Sequence, residues 1–177
     1  SEMCIRDRNK LYHKSLFDTL RYPVGKLHED EFTTYLAVYR AGKVAVTREP
    51  LYAYYQNPVG IMLSKWTPRK LHILEATENQ IAFARENGNQ RLLKKAVRQY
   101  IYSTYEQIGF AKQWDNPGRG RLLKTLRKKL REGLRQGKEF DLFPLCRELF
   151  WVYEEAYPMK PFWWLYGKLG RREERQE

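Results

Sequence analysis

The chain has 177 residues, 42% hydrophobic and 15% aromatic, with a formal net charge of +12. That length holds one ordinary domain, or a domain piece with an appended region, and the apolar content excludes wholesale disorder. Cys4 and Cys146 lie far apart and outside any CxxC spacing, which argues against a disulfide framework or a zinc site and makes a reducing cytoplasm the default. No apolar run approaches the roughly 20 residues of a membrane-spanning helix, and no signal peptide is visible. The positive charge calls for an acidic partner: nucleic acid, an anionic membrane surface or a nucleotide-linked substrate.

Residues 1–8 (SEMCIRDR) are charged and unpatterned and read as a tail foreign to the domain, of vector or adaptor type, so fold reasoning starts at Asn9. Residues 9–17 (NKLYHKSLF) read as an extended piece entering a helical turn, and Arg21-Tyr22-Pro23 as a loop. His13 reads as a surface or boundary residue. Gly25 permits a sharp turn just before His28-Glu29-Asp30-Glu31. Phe32, Tyr35, Leu36 and Tyr39 follow at i, i+3, i+4 and i+7, so the acids open an amphipathic helix. Two readings of those acids stand side by side. They complement the positive end of the helix dipole, or they put a carboxylate at the mouth of a site, ready to take a proton from a substrate hydroxyl.

Ala41-Gly42 stops that helix. Residues 43–47 (KVAVT) read as a short strand, Arg48-Glu49-Pro50 as a turn, and 51–56 (LYAYYQ) as a second strand by alternation. Tyr52, Tyr54 and Tyr55 suit either a core or a cleft wall, because the ring buries area while the hydroxyl reaches polar partners. Asn57-Pro58-Val59-Gly60 breaks the strand.

From Thr67-Pro68 the pattern turns helical, with a cap followed by proline at the first helical position. This helix runs to about Glu86 and stops at Asn87-Gly88. The next carries Leu93, Ala96, Val97, Tyr100, Ile101, Thr104, Ile108 and Ala111 on one stripe and ends near Trp114. Residues 119–138 then hold nine basic side chains against one acid, Glu132, a net +8, on a segment made amphipathic by Leu122, Leu123, Leu126, Leu130 and Leu134. Such a helix reads as a membrane-surface or acidic-partner element, or as a solvated face docked by its leucines. Gly133 inside it lowers the stability of the helix in isolation. A further helix opens at Phe143-Pro144, with Leu145, Leu149, Val152, Tyr153 and Ala156 on one side. Trp163-Trp164 beside the polar tail 171–177 suits an interfacial anchor or a packing surface equally.

The pieces KLYHKSLF, RYPVGKLHEDEFTTY, AGKVAVTREPLYAYYQ and GIM, in that order over residues 10–62, resemble the second half of a family 2 glycosyltransferase domain. These are the enzymes that build bacterial capsule, exopolysaccharide and lipopolysaccharide chains. The resemblance implies an α/β fragment, the second half of a GT-A sandwich with short strands, over residues 9–65. A mainly α-helical C-terminal region would follow over 66–177. It implies an inverting hexosyltransferase working on a nucleotide-sugar donor and a saccharide or lipid-linked acceptor. Carried onto this sequence, the catalytic pair is Glu29 and Asp30, with Asp30 as the base, while His28, Tyr54 and Gln56 fall on the substrate-binding side. The implied cofactor is a divalent cation, Mn or Mg, held mostly by the nucleotide-binding half, and no metal ligand is assigned here.

The sequence departs from the family pattern in two places. It contains no Asp-x-Asp, and Leu63 stands where many relatives carry a histidine after the Ile-Met pair. Little or no transferase activity is expected of this stretch alone. The expected location is cytoplasmic, peripheral to the inner face of the membrane through Arg119 to Lys138. The competing reading is a basic helical module binding nucleic acid or an anionic membrane surface. Nucleic acid is disfavoured because aromatics are not interleaved with the basic cluster. A third reading is a scaffold whose acids at 29–31 only cap a helix.

Overall fold

A computed structural model describes residues 9–53, 55, 64–140, 152, 155 and 156. Among these the regular structure is helical: α1 (Glu29–Arg40), α2 (His72–Glu86), α3 (Gln90–Lys112) and α4 (Arg119–Lys138), with 3-10 turns at Lys14–Phe17 and Pro68–Leu71. The expected α/β fragment is therefore corrected. No strand forms among the described residues. Residues 43–47 and 51–53 are irregular and exposed, with Val44 61% and Val46 88% accessible. Alternation marks a segment that could be a strand, but a strand needs a neighbour to take its N–H and C=O groups. Neither segment has one among the described residues. The stretch 1–8 read as a foreign tail, both cysteines, residues 54 and 56–63, most of the helix expected after Phe143, the Trp163-Trp164 pair and the polar tail lie outside the described residues.

The helix ends follow local chemistry. Gly25 and Gly88 adopt φ of 77° and 61°, where a side chain would be strained. Asn89 caps α3 by accepting the Leu92 N–H at 3.0 Å. Residues 68–71 form a 3-10 turn with proline at its first position, so α2 begins one turn later than the sequence expectation.

α2, α3 and α4 form a three-helix core. The Tyr100 hydroxyl reaches Glu78, while Trp66, just before α2, donates to Gln107 at 2.8 Å. As numbers rise on one side they fall on the other, so α2 and α3 run antiparallel. Lys129 pairs with Glu78 and Arg85 with Gln136. Both partners advance by seven residues, so α2 and α4 run parallel. Between them lie Ile73, Leu74, Ile81, Val97, Ile101, Ile108, Leu126, Leu130 and Leu134, each at most 7% exposed, with Val152 and Ala156 in the same core. Polar residues inside are satisfied locally: Thr77 and Thr104 donate to carbonyls one turn back in their own helices.

Gly133 has a packing reason that its helix propensity hides. A Cβ there would stand 3.0 Å from Tyr100 Cδ1 and 3.1 Å from Ile101 Cγ1. Glycine lets the α4 backbone approach the Tyr100 ring. Gly137, one turn on, is also buried.

Candidate functional site

α1 stands on α2. Tyr35 and Tyr39 both meet the Phe83 ring edge-on, at centroid distances of 5.3 and 4.9 Å, and Tyr39 donates to Asn87. The loop before α1 is held at the start of α2 by three contacts. Arg69 donates to the Gly25 carbonyl at 3.1 Å, the Leu27 N–H donates to His72 Nδ1 at 3.0 Å, and Lys26 pairs with Glu75 at 2.6 Å. A ring that accepts at Nδ1 carries its proton on Nε2, so the Leu27 contact selects one neutral His72 tautomer. These contacts determine where His28-Glu29-Asp30-Glu31 emerges.

The four residues then part company. His28 is the N-cap residue and takes a left-handed conformation, φ 59°, uncommon outside glycine. Glu29 is exposed. Asp30 turns onto the wall of a cleft of about 520 Å³, between α1, α2 and the start of α3. Its Oδ1 accepts the Glu31 N–H at 2.9 Å. Glu31, at 6% exposure, points into the α1–α2 contact. There the Gln80 amide donates to its backbone carbonyl at 2.7 Å and to its carboxylate at 3.2 Å. A buried carboxylate needs such donors, because desolvation otherwise penalises its charge.

The cleft is also lined by Glu31, Tyr35, Val38 and Tyr39 of α1, Gln80 of α2, Asn89 before α3, Leu92 of α3, and Lys10. Thr34 lies on the same wall, and its hydroxyl is buried without a hydrogen-bond partner. Burial, with the Glu86 charge adding to it, pushes the Tyr35 phenol above its ordinary value, so it stays protonated and able to donate. The exposed lining is mostly apolar, with the Asp30 carboxylate and the Lys10 side chain among its polar members.

Of the five residues singled out from the sequence, Asp30 lies on the cleft. Glu29 and His28 are beside it in the chain but do not line it. Tyr54 and Gln56 lie outside the described residues. Sequence reasoning missed Gln80, Asn89 and Leu92, which come from helices 50 or more positions beyond Asp30 and carry no local signal; the acidic run did mark Glu31, though not its burial. Among the described residues no group of three or more His, Cys, Asp and Glu side chains converges to hold a metal ion. The divalent cation implied by the resemblance therefore finds no ligand set among them. No helix is long and apolar enough to cross a membrane among the described residues. Comparison with protein-family models, curated proteins and solved structures finds no match to the chain.

Proposed function

We propose that this chain carries the acceptor-side portion of an inverting glycosyltransferase acting in cell-surface polysaccharide synthesis, with Asp30 as the general base. The observation that supports the reading most is the placement of Asp30. One carboxylate oxygen is held by the Glu31 N–H, and the side chain lies on the wall of a cleft that Tyr35 and Lys10 also line. In such a transfer the acceptor oxygen attacks the anomeric carbon of the nucleotide-sugar, the acceptor proton passes to Asp30, and the nucleoside diphosphate leaves with the electron pair of the broken glycosidic bond. The neighbouring Glu29 carboxylate keeps the approach to the cleft negative, and Tyr35 positions an acceptor hydroxyl. The proposal covers acceptor binding and proton removal alone, since the described residues offer no cluster for a cation. The enzyme would work in the cytoplasm, peripheral to the inner face of the membrane.

The test begins with the DNA upstream of the codon for Asn9. An in-frame nucleotide-binding half with an Asp-x-Asp motif is expected, and the joined protein should transfer sugar from a nucleotide-sugar donor. In that protein Asp30→Asn should abolish transfer and leave donor binding intact. Appreciable turnover by the variant refutes the role of Asp30. A start codon near Asn9 with no such half refutes the enzyme.

A further inference from the structure

The outer face of α4 is strongly basic. At 3.6 residues per turn, Leu126, Leu130, Gly133, Leu134 and Gly137 share one face, and all are buried. Arg121, Lys124, Lys128, Arg135 and Lys138 lie on the other face, within an arc of about 100°, and all are exposed. The cations of α4 divide by direction. Arg127 and Lys129 turn inward to Glu155 and Glu78. Lys128 meets its own-helix Glu132 only at 3.9 Å. Arg121, Lys124, Arg135 and Lys138 make no ion pair among the described residues.

From Arg121 to Arg135 the row is about 21 Å long at 1.5 Å per residue. α3 adds a second basic surface, directed away from this one. Gly133 faces Tyr100 and Ile101, and the two helices run antiparallel, so the first half of α3 lies level with the second half of α4. That half of α3 carries Arg91, Lys94, Lys95 and Arg98, all exposed. Glu106, in the other half, is the one acid of α3.

We propose that this outer face of α4 docks the protein on an anionic lipid surface by charge alone. The buried leucines settle the mode. Leu126, Leu130 and Leu134 are at most 1% exposed, so none is free to enter the acyl region, as an interfacial amphipathic helix requires. What remains outside is a convex row of long cations with no aromatic side chain on α4 to stack a base. A layer of headgroup phosphates can neutralise such a row along its whole length. The inference does not depend on the transferase reading.

The full chain is tested by sedimentation with phosphatidylcholine vesicles, with and without roughly a third phosphatidylglycerol, at about 50 mM and about 0.5 M salt. Binding is expected only to the anionic vesicles and only at low salt. The triple variant Arg121→Gln, Lys124→Gln, Arg135→Gln should weaken it by about 100-fold, at roughly fivefold per cation. Lys43→Gln, Arg48→Gln, Lys65→Gln, an equal charge change on exposed loops, should weaken it far less. Arg121→Lys, Arg135→Lys should retain it, which separates lost charge from lost fold. Equal binding to neutral vesicles, equal losses in the two triple variants, or displacement from vesicles by a charge-equivalent amount of duplex DNA would each overturn the proposal. The last of these would assign the face to nucleic acid.

Discussion

Replacing Gly133 by alanine sets two effects of similar size against each other. In an open helix position the change stabilises by about 0.8–1 kcal/mol, because alanine loses less backbone entropy than glycine. At Gly133 the new methyl meets Tyr100 Cδ1 at 3.0 Å, Ile101 Cγ1 at 3.1 Å and Tyr100 Cε1 at 3.3 Å. Carbon pairs settle at about 3.5–4.0 Å, so all three contacts must open by several tenths of an ångström. Neither neighbour yields easily. Both are 3% exposed, and the Tyr100 hydroxyl is tied to Glu78, which Lys129 also holds. Overpacking a filled core costs about 1–3 kcal/mol, so the net change runs from near zero to about 2 kcal/mol destabilising. Gly109 supplies the internal control, since it is exposed in α3 and an added methyl there would meet nothing within 4 Å. Urea denaturation should show Gly109→Ala gaining up to about 1 kcal/mol and Gly133→Ala falling below it by about 1–3 kcal/mol. Combining Gly133→Ala with Ile101→Ala should cost less than the two separate losses, because the second change removes one of the clashing atoms. A Gly133→Ala protein as stable as Gly109→Ala would refute the close approach of α4 to α3.

Two further outcomes follow from the charged contacts. Burial, reinforced by the Glu78 charge, raises the Tyr100 phenol far above its ordinary 10.0. The unfolded chain thus releases this proton more readily than the native one, and the contribution is complete below pH 10 and lost as pH rises above it. Tyr100→Phe should lower stability by about 1 kcal/mol at neutral pH through the missing hydrogen bond, and it should flatten the alkaline limb of a stability–pH curve. An unchanged alkaline limb counts against that contact. Glu155 behaves in the opposite sense. Burial pushes its carboxyl up, but hydrogen bonds and charge from Lys112 and Arg127 together outweigh that and hold it below 4.5. Here the unfolded chain binds the proton more readily, so the contribution is present above pH 4.5 and lost as pH falls below it. It amounts to at most about 1 kcal/mol, because Lys112 remains half exposed. Glu155→Gln should remove that part of the acid limb, and 0.5 M salt should shrink it in the parent protein.

The helices were legible because their signals are local. Apolar spacing at i, i+3 and i+4, with Asn87-Gly88 as punctuation and the α3 stripe ending near Trp114, locates α2, α3 and α4 to within a turn. The same reasoning failed at 43–47 and 51–53, where alternation was present and the pairing partner was not. The site was legible in part. The acidic run at 29–31 marks the mouth of the cleft, and the helix start separates its members, since successive residues turn by about 100°. That rotation leaves Glu29 exposed, puts Asp30 on the cleft wall, and turns Glu31, which also lines the cleft, toward Gln80 of α2.

Composition and periodicity by themselves determined that this chain is basic, that its second part is a run of amphipathic helices, and that one helix begins with three carboxylates. Those properties depend on neighbours within a turn or two along the chain. Tertiary structure alone decided which charges remain available. Gln80 finds Glu31 across 49 residues, Glu78 takes up both Tyr100 and Lys129, and Glu155 draws Arg127 inward, leaving Arg121, Lys124 and Arg135 at the surface. A hydrogen bond or ion pair is a condition on distance in space, and the helix register that meets it is set only when the core has packed.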